Sequence, residues 1–199
     1  MSETAKADAL RDFQRAAERL RHAAESAHAQ QTSSIPWGPR EVLAHITLWA
    51  VQAAEHFAHG LAPLNYGADG QWGPAMADTF NVVFETLAGP GVSPEDARVA
   101  GWAAVEQEGF KLPLAVPESD ELHARVDDAF NAAAVGLVKK TPFEVVLRKT
   151  ESAHAELYRR LCERLASEPL PGSPTYRRLL LIIAHHELHS EELERQADL

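Results

Sequence analysis

The chain has 199 residues, of which 45% are apolar and 24% charged, the composition of one ordinary globular domain over 1–199 and of neither a disordered nor a fibrous chain. A formal net charge of −10, with arginines dispersed along helical segments, disfavours a nucleic-acid partner. Its one cysteine, Cys162, cannot form an internal disulfide, and a polar N-terminus with no apolar run near the ~20 residues of a membrane span predicts a cytoplasmic protein with no membrane partner.

Apolar spacing is helical almost throughout and predicts an all-α fold, with helices at about 4–29, 39–59, 74–88, 94–107, 119–138, 142–167 and 174–196. In the second of these, Val42, Ile46, Trp49, Ala53 and Phe57 form a stripe, and His45 sits beside it. The stretch from Gly60 to Trp72, rich in Gly, Pro and Asn, reads as loop. Ser93-Pro94, Thr141-Pro142 and Ser173-Pro174 each offer a capping hydroxyl followed by proline at the first helical position, where a missing N–H costs nothing. Glu144, three residues after Thr141, adds a capping box to that start. Long helices at both ends and shorter ones between them suggest a four-helix bundle. Its second and third helices would be joined by a long helical crossover over 61–140 that could shape a pocket at the bundle mouth.

Ten histidines are present. His185 and His189, four apart in the last helix, stack on one face, with His45 on the apolar side of the second helix. Two imidazoles so spaced form a preset clamp, and a third from a facing helix completes a facial set with open positions for water or substrate. The alternative reading is a surface pair and a hydrogen-bonded core histidine. His186, about 100° round the helix from His185, is expected outside the site. Glu41, one turn before His45, could orient that ring or simply complement the helix dipole. Glu192 could serve as a fourth ligand or general base, although the acidic run Glu187, Glu191, Glu192, Glu194 also reads as a solvated face. Trp49, Tyr66 and Asn131 are candidate substrate-lining residues; His56 and His59 suit a charged helix C-terminus, and Cys162 a buried, inert position. Hydrolase-triad, dinucleotide and phosphate-loop motifs are absent from the sequence.

Three segments carry a family resemblance: Trp37-Gly38-Pro39-Arg40-Glu41-Val42-Leu43-Ala44-His45-Ile46-Thr47-Leu48-Trp49, Asp127-Asp128-Ala129-Phe130-Asn131, and His185-His186-Glu187-Leu188-His189. In order and separation they resemble the DinB-like, or YfiT-like (maleylpyruvate isomerase-like), superfamily over most of the chain. The resemblance implies a four-helix bundle holding a divalent ion, nickel, zinc, iron or manganese, on His45, His185 and His189 as a histidine triad. It implies a metal-dependent enzyme acting on a small electrophilic molecule, a thiol S-transferase using a low-molecular-weight thiol, with metal-activated hydrolysis close behind. Two departures narrow this. Ser190-Glu191-Glu192 stands where many relatives carry Arg-Gly-Gln, which weakens a thiol-docking role there, and an end at Leu199 disfavours maleylpyruvate isomerase itself. The alternative function is a non-catalytic small-molecule-binding or dimerising helical bundle, and an exposed helix face could support a homodimer.

Overall fold

The computed structural model describes residues 3–30, 37–59, 74–111, 119–168 and 173–197. Among these the chain is all-α, with no strand: α1 (Glu3–Ala29), α2 (Pro39–His59), α3 (Pro74–Leu87), α4 (Pro94–Gln107), α5 (Asp120–Val138), α6 (Phe143–Ser167) and α7 (Pro174–Ala197). Helix ends fall within a residue or so of those that periodicity predicts. The expected loop at Gly60–Trp72, and Tyr66 with it, lies outside the described residues. No helix among the described residues is long and apolar enough to cross a membrane.

Two of the three Ser/Thr-Pro starts work as expected. Ser93 Oγ accepts from the Asp96 N–H at 3.1 Å and Ser173 Oγ from the Tyr176 N–H at 3.1 Å, each satisfying one orphan donor of a first turn. The capping box at Thr141 does not form. Thr141 is buried, and its N–H donates to the Val138 carbonyl at 2.8 Å, so the residue closes α5 instead of opening α6. Pro142 becomes the cap, the N–H groups of Val145 and Val146 donate to its carbonyl at 3.0 and 3.2 Å, and Glu144 is left exposed.

α2 is the central helix. It packs against α1, α3, α5, α6 and α7, while α1 runs along α7. The predicted stripe is therefore too narrow: Leu43, Ala44, Leu48, Ala50 and Val51 are buried as well, so α2 is apolar almost all round, as a helix enclosed on every side must be. Its seam with α6 holds a buried polar contact, Thr47 Oγ1 to Thr150 Oγ1 at 2.8 Å; the two hydroxyls also lie 2.8 and 3.0 Å from the Leu43 and Val146 carbonyls one turn back. Side chains from α6 serve helix ends elsewhere. Arg164 Nε donates to the Phe57 carbonyl of α2 at 2.7 Å, and Lys149 Nζ to the Thr86 carbonyl of α3 at 2.6 Å. On the α1–α7 seam Arg19 donates through Nε and Nη2 to both oxygens of Glu194, at 2.8 and 2.7 Å, and through Nη1 to Glu187. The acidic run of α7 is thus a clamp on α1 at these two positions and not only a solvated face. Cys162, expected to be buried, is half-buried.

α3, α4 and α5 close over an aromatic cluster. Phe80 and Phe130 stack at 3.6 Å between centroids, and Trp102 stands edge-on to Phe84 and Phe130 at 5.4 and 5.9 Å. The cluster fixes α5 where it also packs on α2, and that contact brings the next residue, Asn131, to His45. α4 approaches this closely because residue 101 is glycine: a Cβ there would overlap the Phe84 ring. Gly101→Ala is therefore expected to cost about 1–3 kcal/mol in urea denaturation through overpacking. Gly136→Ala, exposed on α5 with nothing within 4 Å of the new Cβ, should instead gain up to about 1 kcal/mol. Equal stability of the two variants would contradict the packing described.

Candidate metal centre

α2 supplies His45, and α7 supplies His185 and His189 one turn apart. His185 Nε2 lies 2.9 Å from His45 Nε2 and 3.0 Å from His189 Nε2, and the three ligand atoms are all within 4.8 Å of one another. The rings do not stack: interplanar angles are 87°, 75° and 65°, so three ring edges meet at one point. His45 and His189 are 6% and 8% exposed, and His185 is half-buried.

Neighbouring groups fix which nitrogens carry protons. The indole N–H of Trp49 can only donate, and it meets Asn131 Oδ1 at 3.0 Å, which sets the orientation of the Asn131 amide. The same oxygen lies 2.8 Å from His45 Nδ1, so that nitrogen must carry a hydrogen and His45 Nε2 must be bare. Glu192 Oε2 accepts from His189 Nδ1 at 2.7 Å, so in the neutral ring His189 Nε2 is the bare nitrogen. Two lone pairs therefore face His185 Nε2. One proton there can satisfy only one of the two contacts, whereas a cation satisfies all three nitrogens.

The donor set fits a metal. Nitrogens about 2.1 Å from one ion, at angles between octahedral and tetrahedral, stand roughly 3.0–3.4 Å apart, close to the 2.9 and 3.0 Å that separate His185 Nε2 from the other two. Ligand imidazoles must be neutral, and burial holds His45 and His185 so. Burial, opposed in part by the Asn131 hydrogen bond and reinforced by His189, lowers the pKa of His45 to about 4. Burial, with His45, His189 and Arg178 adding to it, lowers that of His185 to about 3. His45, His185 and His189 could hold a metal ion. The chain matches no protein-family model, no curated protein and no solved structure, so what the centre can do follows from its geometry.

The other candidates fall differently. Glu41 pairs with Arg40 at 2.6 Å, and Asn131 takes the orienting position at His45 Nδ1. Glu192 orients His189 and lies outside the set of converging ligand atoms. Trp49 both bonds Asn131 and lines a cavity of about 240 Å³ that opens on His185. His186 also lines that cavity but stays out of the triad, as expected: its Nδ1 meets the Ile182 carbonyl at 2.7 Å, and its Nε2 meets His154 Nε2 at 2.8 Å. His56 is not a charged helix end, because burial, with Arg178 adding to it, lowers its pKa to about 4. His59 pairs with Glu55 at 3.2 Å. Reading the sequence alone misses His154 as the partner of His186, and it misses Arg178, which lines the same cavity. The signal for Arg178 was present in its spacing, seven residues before His185 and so on the same face.

Five histidines, 45, 56, 154, 185 and 186, have pKa values of about 3 to 4 in the fold, mainly through burial, against 6.5 when exposed. Below pH 6.5 the unfolded chain takes up protons that the folded one refuses, so their contribution is full above that pH and is lost progressively as the pH falls towards 4. Thermal melting of chelator-treated protein should show a midpoint falling steeply from about pH 7 to pH 5. A flat profile over that range would contradict neutral burial of these rings.

Proposed function

We propose that the protein is a divalent-metal-dependent enzyme of the DinB-like kind acting on a small electrophilic molecule, with thiol transfer as its reaction and hydrolysis the nearest competitor. In this reading α1, α2, α6 and α7 are the four helices of the bundle and α3–α5 its crossover. The observation that carries it is the convergence of three Nε2 atoms, two of them stripped of protons by Asn131 and Glu192. A histidine core built for packing alone has no use for unpaired lone pairs turned on one another.

A divalent ion such as nickel, zinc, iron or manganese would supply Lewis acidity there, lowering the pKa of a thiol or water so that a nucleophile exists near neutral pH. The chain's own residues do the rest. Asn131 Oδ1 holds the Nδ1 proton of His45, and Glu192 holds that of His189, which fixes both rings and raises the basicity of their free nitrogens. Ile46, Trp49, Leu181 and Ile182 give the cavity beside His185 apolar walls that exclude water from a bound substrate. In the transfer, the thiol loses its proton to solvent and its sulfur forms a bond to the electrophilic carbon. The electron pair of the broken bond leaves with the departing group.

Elemental analysis of untagged protein purified without chelators should find close to one ion per chain, lost in His189→Ala. No bound ion, even after incubation with nickel, zinc, iron and manganese, overturns the reading. If metal is present, a thiol and a model electrophile should react in its presence and stop reacting on chelation. Asn131→Ala should weaken metal binding about 10- to 100-fold in a chelator competition, because His45 loses its orienting partner. Unchanged affinity in that variant would show that the tautomer of His45 is set otherwise.

A further inference from the structure

Arg178 has an unusual environment. It lies on α7 seven residues before His185, about 10 Å along the axis on the same face, and lines the cavity that opens on that histidine. Its Nη2 reaches Gln52 Oε1 only at 3.3 Å, and its Nε is buried with no hydrogen-bond partner. Among the described residues it forms no ion pair, although Asp127 of α5 lines the same cavity and acts on its charge. Leaving a guanidinium N–H buried and unmatched is costly, and native structures complete such a group with a protein acceptor, a bound water or a ligand. A guanidinium presents parallel donors spaced to match a planar anion of two oxygens.

We propose that Arg178 is the anchor for a carboxylate on the substrate, which lies along α7 with its carboxylate at Arg178 and its reacting end towards His185. Ile46, Trp49, Leu181 and Ile182 take the apolar stem between them. Asp127, exposed at the same cavity, sets the class of anion: its charge tolerates a single negative charge beside Arg178 and repels a phosphate dianion. Substrates are thus small monocarboxylates with an apolar stem. The inference rests on the proposed function only in taking this cavity as the substrate's place, and its test needs neither metal nor turnover.

Calorimetric titration with hexanoate, hexanamide and inorganic phosphate tests it, on the protein as purified and again after chelation. Hexanoate should bind in both states, with hexanamide and phosphate weaker by about tenfold or more, the factor expected for a charge-assisted pair. Arg178→Gln should lose that preference for acid over amide, and Arg178→Lys should keep part of it, since the charge remains but the fork does not. The acid–amide comparison on the unaltered protein stands even if Arg178→Gln fails to fold. Equal binding of acid and amide, phosphate binding as tightly as hexanoate, hexanoate binding that vanishes on chelation, or an unchanged preference in Arg178→Lys each overturns the proposal. Absence of metal with hexanoate binding intact would instead count against the metal centre alone.

Discussion

Two imidazole nitrogens within hydrogen-bonding distance of a third, with too few protons to go round, are the constraint on which the rest of the site depends. Proton placement is not free here. The donor-only indole of Trp49 orients the Asn131 amide, that amide forces a proton onto His45 Nδ1, and Glu192 does the same at His189. Each step removes an option from the next, until two bare Nε2 atoms face a third. Buried networks tolerate no half-measures, because an unmatched polar atom in a low-dielectric interior costs more than a matched one returns.

Such a network needs a rigid frame, and α2 supplies it by being enclosed. A helix surrounded by five others cannot tilt or rotate without disturbing several seams at once, so His45 is held as firmly as any core leucine. The aromatic cluster of Phe80, Phe84, Trp102 and Phe130 matters to the site for the same reason. Asn131 follows Phe130 directly in α5, and the stack of Phe130 on Phe80 fixes the helical register that puts the amide against His45. The short helices thus do more than decorate the mouth: they contribute a second-layer residue without which the ring on α2 would be free to flip.

Much of this was legible in the sequence, and the parts that were not share a physical cause. Helix ends could be read because serine caps and prolines act locally, and the His185–His189 pair could be read because its spacing belongs to a single helix. Thr141 was misread because its hydroxyl chose burial beside Gly89 over its own helix, a tertiary choice that the motif Thr-Pro-x-Glu does not encode. Asn131 could be read as a candidate substrate-lining residue in the Asp127–Asn131 segment; that it meets His45, 86 positions away, depends on how α5 lies on α2. Arg178 could have been found by extending the His185 face two turns back, but its unpaired Nε is a property of the fold alone.

The contrast with the second histidine cluster shows what separates a site from a core. His186 is as buried as His45 and His154 is half-buried; their Nε2 atoms lie 2.8 Å apart, and His186 sits one residue out of step with the metal candidates. The difference lies in proton count. His186 Nδ1 donates to the Ile182 carbonyl, its Nε2 accepts, and His154 donates from its own Nε2, so the contact between the two rings pairs one proton with one lone pair. Turning one residue along α7, the same side-chain type meets two neighbours whose protons are already committed elsewhere. Residue identity is equal in the two clusters, and the hydrogen-bond partners behind the rings differ. Those partners, Asn131 and Glu192, leave a set of histidines that could hold an ion.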